Sequence, residues 1–239
     1  MGKVLLLFSG GQDSTTCLFY ALRQYAEVFT VGFSYAQRHA VELSARKKIL
    51  EAVRASFPSL AGHLKGDTVI DLPSFDGWRN NALTGEVEIR TGALPTTFVP
   101  GRNLLFLCYA AALAFSEDIE TLMCGVSEVD YSGYPDCREE TITSMQESLS
   151  LGLARPVRIE TPLMHVSKAG TWEWLEKLGG QTAVELVRTE THTCYRGERS
   201  LLHEYGYGCD RCPACVLRRK GWEEYQEYRR RTLSVAKQS

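Results

Sequence analysis

The chain reads as an α/β protein: a doubly wound, mostly parallel five-stranded sheet followed by a small C-terminal helical lobe. Three observations predict this. Short apolar runs alternate with longer segments of helical period. The runs are continuously apolar rather than alternating, as strands covered on both faces are. Half of the eight cysteines crowd into the last part of the chain, at 194, 209, 212 and 215.

In chain order, the apolar run 3–8 is a first strand, a glycine turn follows, and apolar spacing across 14–25 makes the first helix. Residues 27–35 form a β-branched and aromatic second strand, and 39–57 a long amphipathic helix. A third strand spans 68–72. Residues 73–100, rich in Gly, Asn and Thr, form an irregular stretch of the length usually kept for function. The alternation resumes with a helix at 103–116, a strand at 121–126, a helix at 138–151, a strand at 157–161 and a helix at 168–178. A last helix covers about 214–230. This order predicts a sheet domain over 1–185 and a lobe over 186–239, with the ligand site beyond the carboxyl ends of the strands.

Composition narrows the class. A chain of 239 residues with 44% hydrophobic content can bury a full core. A net charge of −2 provides no field to draw it to nucleic acid or an anionic membrane. The apolar run near Met1 is too short for a signal peptide, and residues 104–115 fall short of the ~20 needed to span a bilayer. The expectation is a cytoplasmic protein whose thiols are buried or bind metal rather than forming disulfides.

The run Ser9-Gly10-Gly11-Gln12-Asp13-Ser14-Thr15-Thr16-Cys17 lies between the first strand and first helix. Two glycines let consecutive amides converge on an anion, and hydroxyls gather at a helix N-terminus, where phosphate binds. The run lacks the Lys of a Walker A loop and the spacing of a dinucleotide fold. It resembles the PP-loop ATP pyrophosphatases, which cleave ATP between the α and β phosphates and transfer AMP. That resemblance implies ATP contacts from Phe8 through Leu18, including every residue of the run.

Cys194, Cys209, Cys212 and Cys215 form two overlapping CxxC pairs after a more distant first cysteine. Four thiolates fit a closed tetrahedral Zn²⁺ site, structural rather than catalytic. A redox CxxC has no use for the third cysteine two residues on. His192 and His203 are expected to be bystanders. Cys17, Cys108 and Cys124 sit in apolar elements and read as core, and Cys137 as a packed thiol rather than a nucleophile.

Further motifs follow: Tyr35 to His39 (YAQRH), Phe98 to Asn103 (FVPGRN), Asp130 to Arg138 (DYSGYPDCR), Glu160 to Leu163 (ETPL) with Lys168, and Thr193 to Tyr195 (TCY). Taken with the loop and the cysteines, they resemble the 7-cyano-7-deazaguanine synthase family across nearly the whole chain. The resemblance implies an enzyme of queuosine precursor synthesis, a homodimer with one Zn²⁺ per subunit, converting 7-carboxy-7-deazaguanine, ammonia and ATP into the nitrile. It makes Asp13, Ser14, Lys168 and Arg102 the catalytic candidates, with Asp13 a partner of Mg²⁺. Gln37 and Arg38 line the adenosine side, although Arg38 also stands one turn before Glu42. Asn103, Glu128, Asp130, Tyr131, Tyr134, Asp136 and Arg138 are the candidates for reading the base. A carboxylate accepts from its ring N–H and exocyclic amine, while a tyrosine face stacks on it; Asp136 reads equally well as a helix-capping acid.

The chain departs from the family pattern at Ser34 and Ala36, and its interval from Cys194 to Cys209 is long, with 198–207 as an insertion. Two rival readings stand beside the synthase. One is a PP-loop enzyme that adenylates or thiolates tRNA, gripping it with Arg218 to Lys220 and Arg229 to Arg231; interleaved Glu223, Glu224 and Glu227 argue for a merely solvated helix. The other is a zinc-stabilised module without catalysis, against which the intact loop speaks.

Overall fold

A computed structural model describes residues 2–35, 41–73, 78, 81–85, 87–92, 94–129 and 133–236. Strands β1 (Lys3–Leu7), β2 (Glu27–Ser34), β3 (Leu64–Asp71), β4 (Thr121–Met123) and β5 (Arg158–Glu160) form one sheet in the order β3-β2-β1-β4-β5. All its pairings are parallel: Leu5 lies beside Phe29 on one side and Leu122 on the other. The chain winds outward from β1 to β3, then crosses back to β4, so the winding reverses at β1 and opens a crevice there.

The unbroken apolar run of β1 has a plain cause. Its odd and even residues feed two separate cores. Val4, Leu6 and Phe8 pack with helices α1 (Gln12–Gln24), α2 (Val41–Ser56) and α6 (Lys168–Glu190). Leu5 packs on the opposite face with α4 (Arg102–Ser116) and α5 (Glu139–Gly152). A one-turn helix α3 (Pro58–Ala61) precedes β3.

Two features go beyond the expectations and one corrects them. The helix expected at 168–178 stops at the glycine pair 179–180 as expected, and a second helical stretch, not expected, runs on from it to Glu190, the two together forming α6. Gly180, with φ 66 and ψ −169, makes a kink that only glycine adopts cheaply, and the helix resumes beyond it. Residues 198–207, expected as an insertion, include a small antiparallel hairpin, β6 (Leu202–His203) and β7 (Gly206–Tyr207), before α7 (Pro213–Ala236). Cys17 and Cys124 are buried, but Cys108 is exposed, because it lies on the outward stripe of α4 with Leu105 and Tyr109. No helix of the described residues is long and apolar enough to cross a membrane.

A charge inside the sheet domain went unnoticed in the sequence. Arg46 on α2 is 1% exposed, lies against Gly32 of β2, and donates to the Phe8 carbonyl and the Asp67 carboxylate. Burial pulls its guanidinium below the usual range while Asp67 pushes it back up. Gly32 leaves the space that the guanidinium fills. Gly32→Ala should therefore cost about 1–3 kcal/mol by overpacking, read as a fall in Tm of about 2–4 °C per kcal/mol in thermal denaturation. An unchanged Tm would show that Arg46 is free to step aside.

Candidate functional site

The crevice holds a cavity of about 350 Å³. Its walls come from the ends of β1 and β2, the loop after β4, the first turns of α1 and α4, Lys168, and residues 192–195. Here the glycine turn takes shape. Gly10 has φ 86, a conformation other residues adopt only under strain. Gly11 is extended, and a Cβ on it would meet only ordinary contacts, 3.4 Å from Ser9 Oγ and 3.5 Å from the His192 carbonyl oxygen. Packing therefore does not demand Gly11. Gly125, after β4, lies so close that a Cβ would stand 3.1 Å from the Ser14 nitrogen.

No side chain caps α1 at Gly11, so its first-turn amides point at the cavity mouth with the positive end of the helix dipole. Gly11 donates to Ser9 Oγ at 3.3 Å, and Ser9 Oγ meets Ser14 Oγ at 3.1 Å. Phe8, Ser9, Gly11, Gln12, Asp13 and Ser14 line the cavity. Ser14, Thr15 and Thr16 all donate back into their own turn, Ser14 and Thr15 to the Gly11 carbonyl at 3.2 and 2.7 Å and Thr16 to the Gln12 carbonyl at 3.1 Å, but of the three only Ser14 lines the cavity; Cys17 and Leu18 belong to the core. The expected crowd of hydroxyl donors thus narrows to two serines, because on a helix only the first turn faces the end.

Lys168, at the start of α6, donates to both oxygens of Asp13, each at 2.8 Å. The lysine side chain is 9% exposed and the aspartate's 33%. Ser167 caps α6 by accepting from the Gly170 amide at 3.1 Å. On α7, Gly221 makes room for the lysine stem: a Cβ there would lie 2.6 Å from Lys168 Cγ.

Across the cavity, Arg102 donates to the Tyr35 hydroxyl at 3.3 Å and lies over its ring. Asn103 donates through its side chain to Cys137 Sγ at 3.3 Å, and its amide reaches Asp136 at 3.1 Å. The buried Asp136 carboxylate thus accepts from the first turn of α4 rather than from the helix that follows it. Tyr134 donates to Thr97 at 2.6 Å and meets the Tyr195 hydroxyl at 3.4 Å. Glu128 and Arg138 stand outside the cavity wall: Glu128 accepts from the Glu139 amide at 3.3 Å, and the half-exposed Arg138 lies 3.6 Å from Glu140. Gln37, Arg38, Asp130 and Tyr131 lie outside the described residues.

The sulfur atoms of Cys194, Cys209, Cys212 and Cys215 all lie within 4.8 Å of one another. The Cys212 amide donates to Cys209 Sγ at 3.3 Å, the contact that stabilises a thiolate in a CxxC turn. Four converging sulfurs fit a bound metal ion. His192 and His203 turn Nε2 toward the Cys194 and Gly208 carbonyls, each at 3.0 Å, and so stand beside the cluster rather than in it. Sequence reasoning missed what ties this lobe to the cavity. The His192 amide bonds to the Gly10 carbonyl at 3.2 Å, and the buried Arg218 on α7 reaches Tyr205, Thr193 and Val187 at 2.9, 2.8 and 2.9 Å.

Residues 3–226 match the family model of the queuosine biosynthesis protein QueC. The chain is 52% identical over 223 residues to a 7-cyano-7-deazaguanine synthase of Bradyrhizobium sp. strain BTAi1, covering 92% of this chain and 93% of that one. It is 53% identical over 225 residues to the enzyme of the same name from Bordetella pertussis, covering 93% and 92%. Among solved structures, a 4-thiouridine synthetase in complex with RNA and bound ATP superposes with a TM-score of 0.50 at 18% identity, over 77% of this chain and 42% of that one, a likeness of fold.

Two outcomes follow from this geometry. Burial, and then the charge of Asp136, push the Cys137 thiol up to about 12, so it stays protonated at neutral pH and becomes thiolate only above that value. Iodoacetamide at pH 7.5 should label it at least ~100-fold more slowly in the native than in the unfolded protein, and labelling at equal rates would restore it as a nucleophile. Cys212→Ser should remove the bound metal from the purified protein, measured by mass spectrometry, and lower the melting temperature; a full equivalent retained would break the ligand set.

Proposed function

The chain belongs to the QueC family of queuosine biosynthesis proteins, and we propose that the crevice beyond β1 and β4 is where it adenylates its substrate. The activity is ATP-dependent formation of 7-cyano-7-deazaguanine, a ligase reaction that makes a carbon–nitrogen bond. The substrates are 7-carboxy-7-deazaguanine, ATP and ammonia. A carboxylate is a poor acyl donor, so its oxygen attacks the α-phosphorus of ATP and pyrophosphate leaves. Ammonia then displaces AMP to give the amide. A second ATP activates the amide oxygen, and its loss as AMP leaves the nitrile.

The Asp13–Lys168 pair beneath an uncapped glycine turn carries this reading. Two anions meet in the adenylation step, and the site answers with amides, a helix dipole and a cation set in place beforehand. Ser9, Gly10, Gly11, Gln12 and Ser14 hold the departing pyrophosphate, and a bare Gly11 lets it approach the backbone. Mg²⁺ bound at Asp13 would neutralise phosphate charge. Lys168 orients that carboxylate and faces the phosphates, and Arg102 answers the substrate carboxylate. Asn103 and Tyr134 hold the deazaguanine, together with Asp130 and Tyr131 and with Asp136 through the α4 cap that it anchors. The cysteine cluster holds one structural Zn²⁺, within a division into a catalytic unit, 1–185, and a metal lobe, 186–239. The exposed apolar stripe of α4 (Leu105, Tyr109 and Phe115) supports a homodimer, and a cytoplasmic location agrees with a reduced cluster.

The rival grip on tRNA finds little support in the basic tail. Arg218 is buried, Arg219 pairs with Asp210 at 2.7 Å, and Arg229 pairs with Glu176 at 3.0 Å.

Incubation with 7-carboxy-7-deazaguanine, ammonium and MgATP should yield the nitrile by mass and AMP, without RNA. Asp13→Asn should lower AMP formation by about 10²-fold or more, in proportion to a lost preorganised charge, with an unchanged circular dichroism spectrum. Wild-type turnover in that variant would remove Asp13 from the mechanism.

A further inference from the structure

The buried guanidinium of Arg46 grips the residue from which the glycine turn springs. It donates to the Phe8 carbonyl and lies over the Phe8 ring, 5.3 Å from the ring centre. Phe8 is itself 1% exposed, and its amide donates to the Val31 carbonyl at 2.8 Å, just past the end of β1. Ser9 comes next, and Gly10 turns the chain at φ 86. Phe8 and Arg46 both line the cavity.

The far side of the guanidinium is held by β3. It donates to the Asp67 carboxylate and, at 3.4 Å, to the Thr68 carbonyl, while Asp67 also accepts from the Thr30 hydroxyl at 2.7 Å. β3 is an edge strand, separated from β1 by β2. Arg46 therefore reaches over β2, and it does so where Gly32 puts no side chain in its path. One planar fork ties the edge of the sheet to the strand end that carries the turn. A lysine, with a single compact ammonium, does not span both.

Stability does not account for such a pair. Taking two charges out of water costs about as much as their attraction returns, and apolar replacement of a buried pair is often neutral. What the arrangement supplies is a fixed position for Phe8, and the turn begins at the next residue. Amides aimed in advance at the departing phosphates work through geometry, so a shift of the strand end weakens them.

We propose that Arg46 is a positioning residue for the pyrophosphate turn, an inference that rests on the adenylation reading. It acts through Phe8 and touches neither nucleotide nor acid. It sets the ATP half of the site and leaves the deazaguanine half, Asn103 and Tyr134 across the cavity, unchanged.

The test compares wild type, Arg46→Met and Arg46→Lys as full-length, metal-loaded proteins, each well below its own melting transition. Calorimetry gives Kd for MgATP, and steady-state assays give kcat and KM for ATP and for 7-carboxy-7-deazaguanine. Arg46→Met should bind MgATP more weakly and lose at least about tenfold in kcat/KM for ATP, while KM for the acid stays within about twofold of wild type; Arg46→Lys should lie between. Were Arg46→Met not to fold, Arg46→Lys and Gly32→Ala, which closes the gap and keeps the charge, should show the same one-sided loss, at least about threefold. A lower melting temperature with unchanged ATP parameters makes the residue merely structural and overturns the proposal. Equal losses for ATP and acid overturn it as well, because the whole crevice then depends on Arg46 rather than the turn. A wild type that binds MgATP but forms no nitrile removes the synthase reading and leaves Kd to decide the role of Arg46; one that binds no MgATP removes both.

Discussion

The ion pair between Asp13 and Lys168 is the constraint on which the rest of the site depends. It joins the first turn of α1 to the first turn of α6 across 155 residues of sequence, with both carboxylate oxygens engaged. A nearly buried pair of this kind gains little stability, since desolvation offsets most of the attraction. Its value is positional. The lysine brings α6 against α1, α7 accommodates the lysine stem at Gly221, and the carboxylate is aimed at the cavity before any nucleotide arrives.

The metal lobe enters the same arrangement through the backbone. His192 hangs from the Gly10 carbonyl, two residues before the first cysteine of the cluster, and Tyr195, one residue after it, meets Tyr134 from the other wall. Arg218 binds three separate segments from the interior of α7. A structural ion at the four sulfurs would hold residues 192–195 in place, and these residues form one side of the crevice. The lobe is thus a wall of the crevice as well as an appendage to the sheet.

Much of this was legible in the chain. The apolar runs placed the central strands, which are covered on both faces and have no polar side to disguise them, whereas the edge strand β3 begins at Leu64 rather than 68, because it is mostly exposed and carries Lys65, Gly66 and Asp67 where an apolar run would be. The loop and the cysteines were legible because their chemistry is local: a glycine turn before a helix, or a CxxC turn, works wherever it is placed. The second helical stretch of α6, beyond the kink at Gly180, was not legible, because it is held by packing of Ala183, Val184 and Val187 into the main core rather than by any local signal. Arg46 was missed because a charge inside a helical pattern defaults to the surface, and only the gap at Gly32 shows that this one turns inward.

The sequence by itself determined the parallel α/β class, the glycine turn before α1, the grouping of four cysteines that could hold a metal and the family, all properties of residues close together in the chain or spaced in a telling order. The tertiary structure alone decided which cation meets Asp13, which carboxylate accepts from the first turn of α4, that Cys108 of α4 faces solvent, and that His192 lies against Gly10. Those outcomes depend on how helices far apart in the chain rotate and pack, and side-chain direction is set by that packing rather than by local pattern.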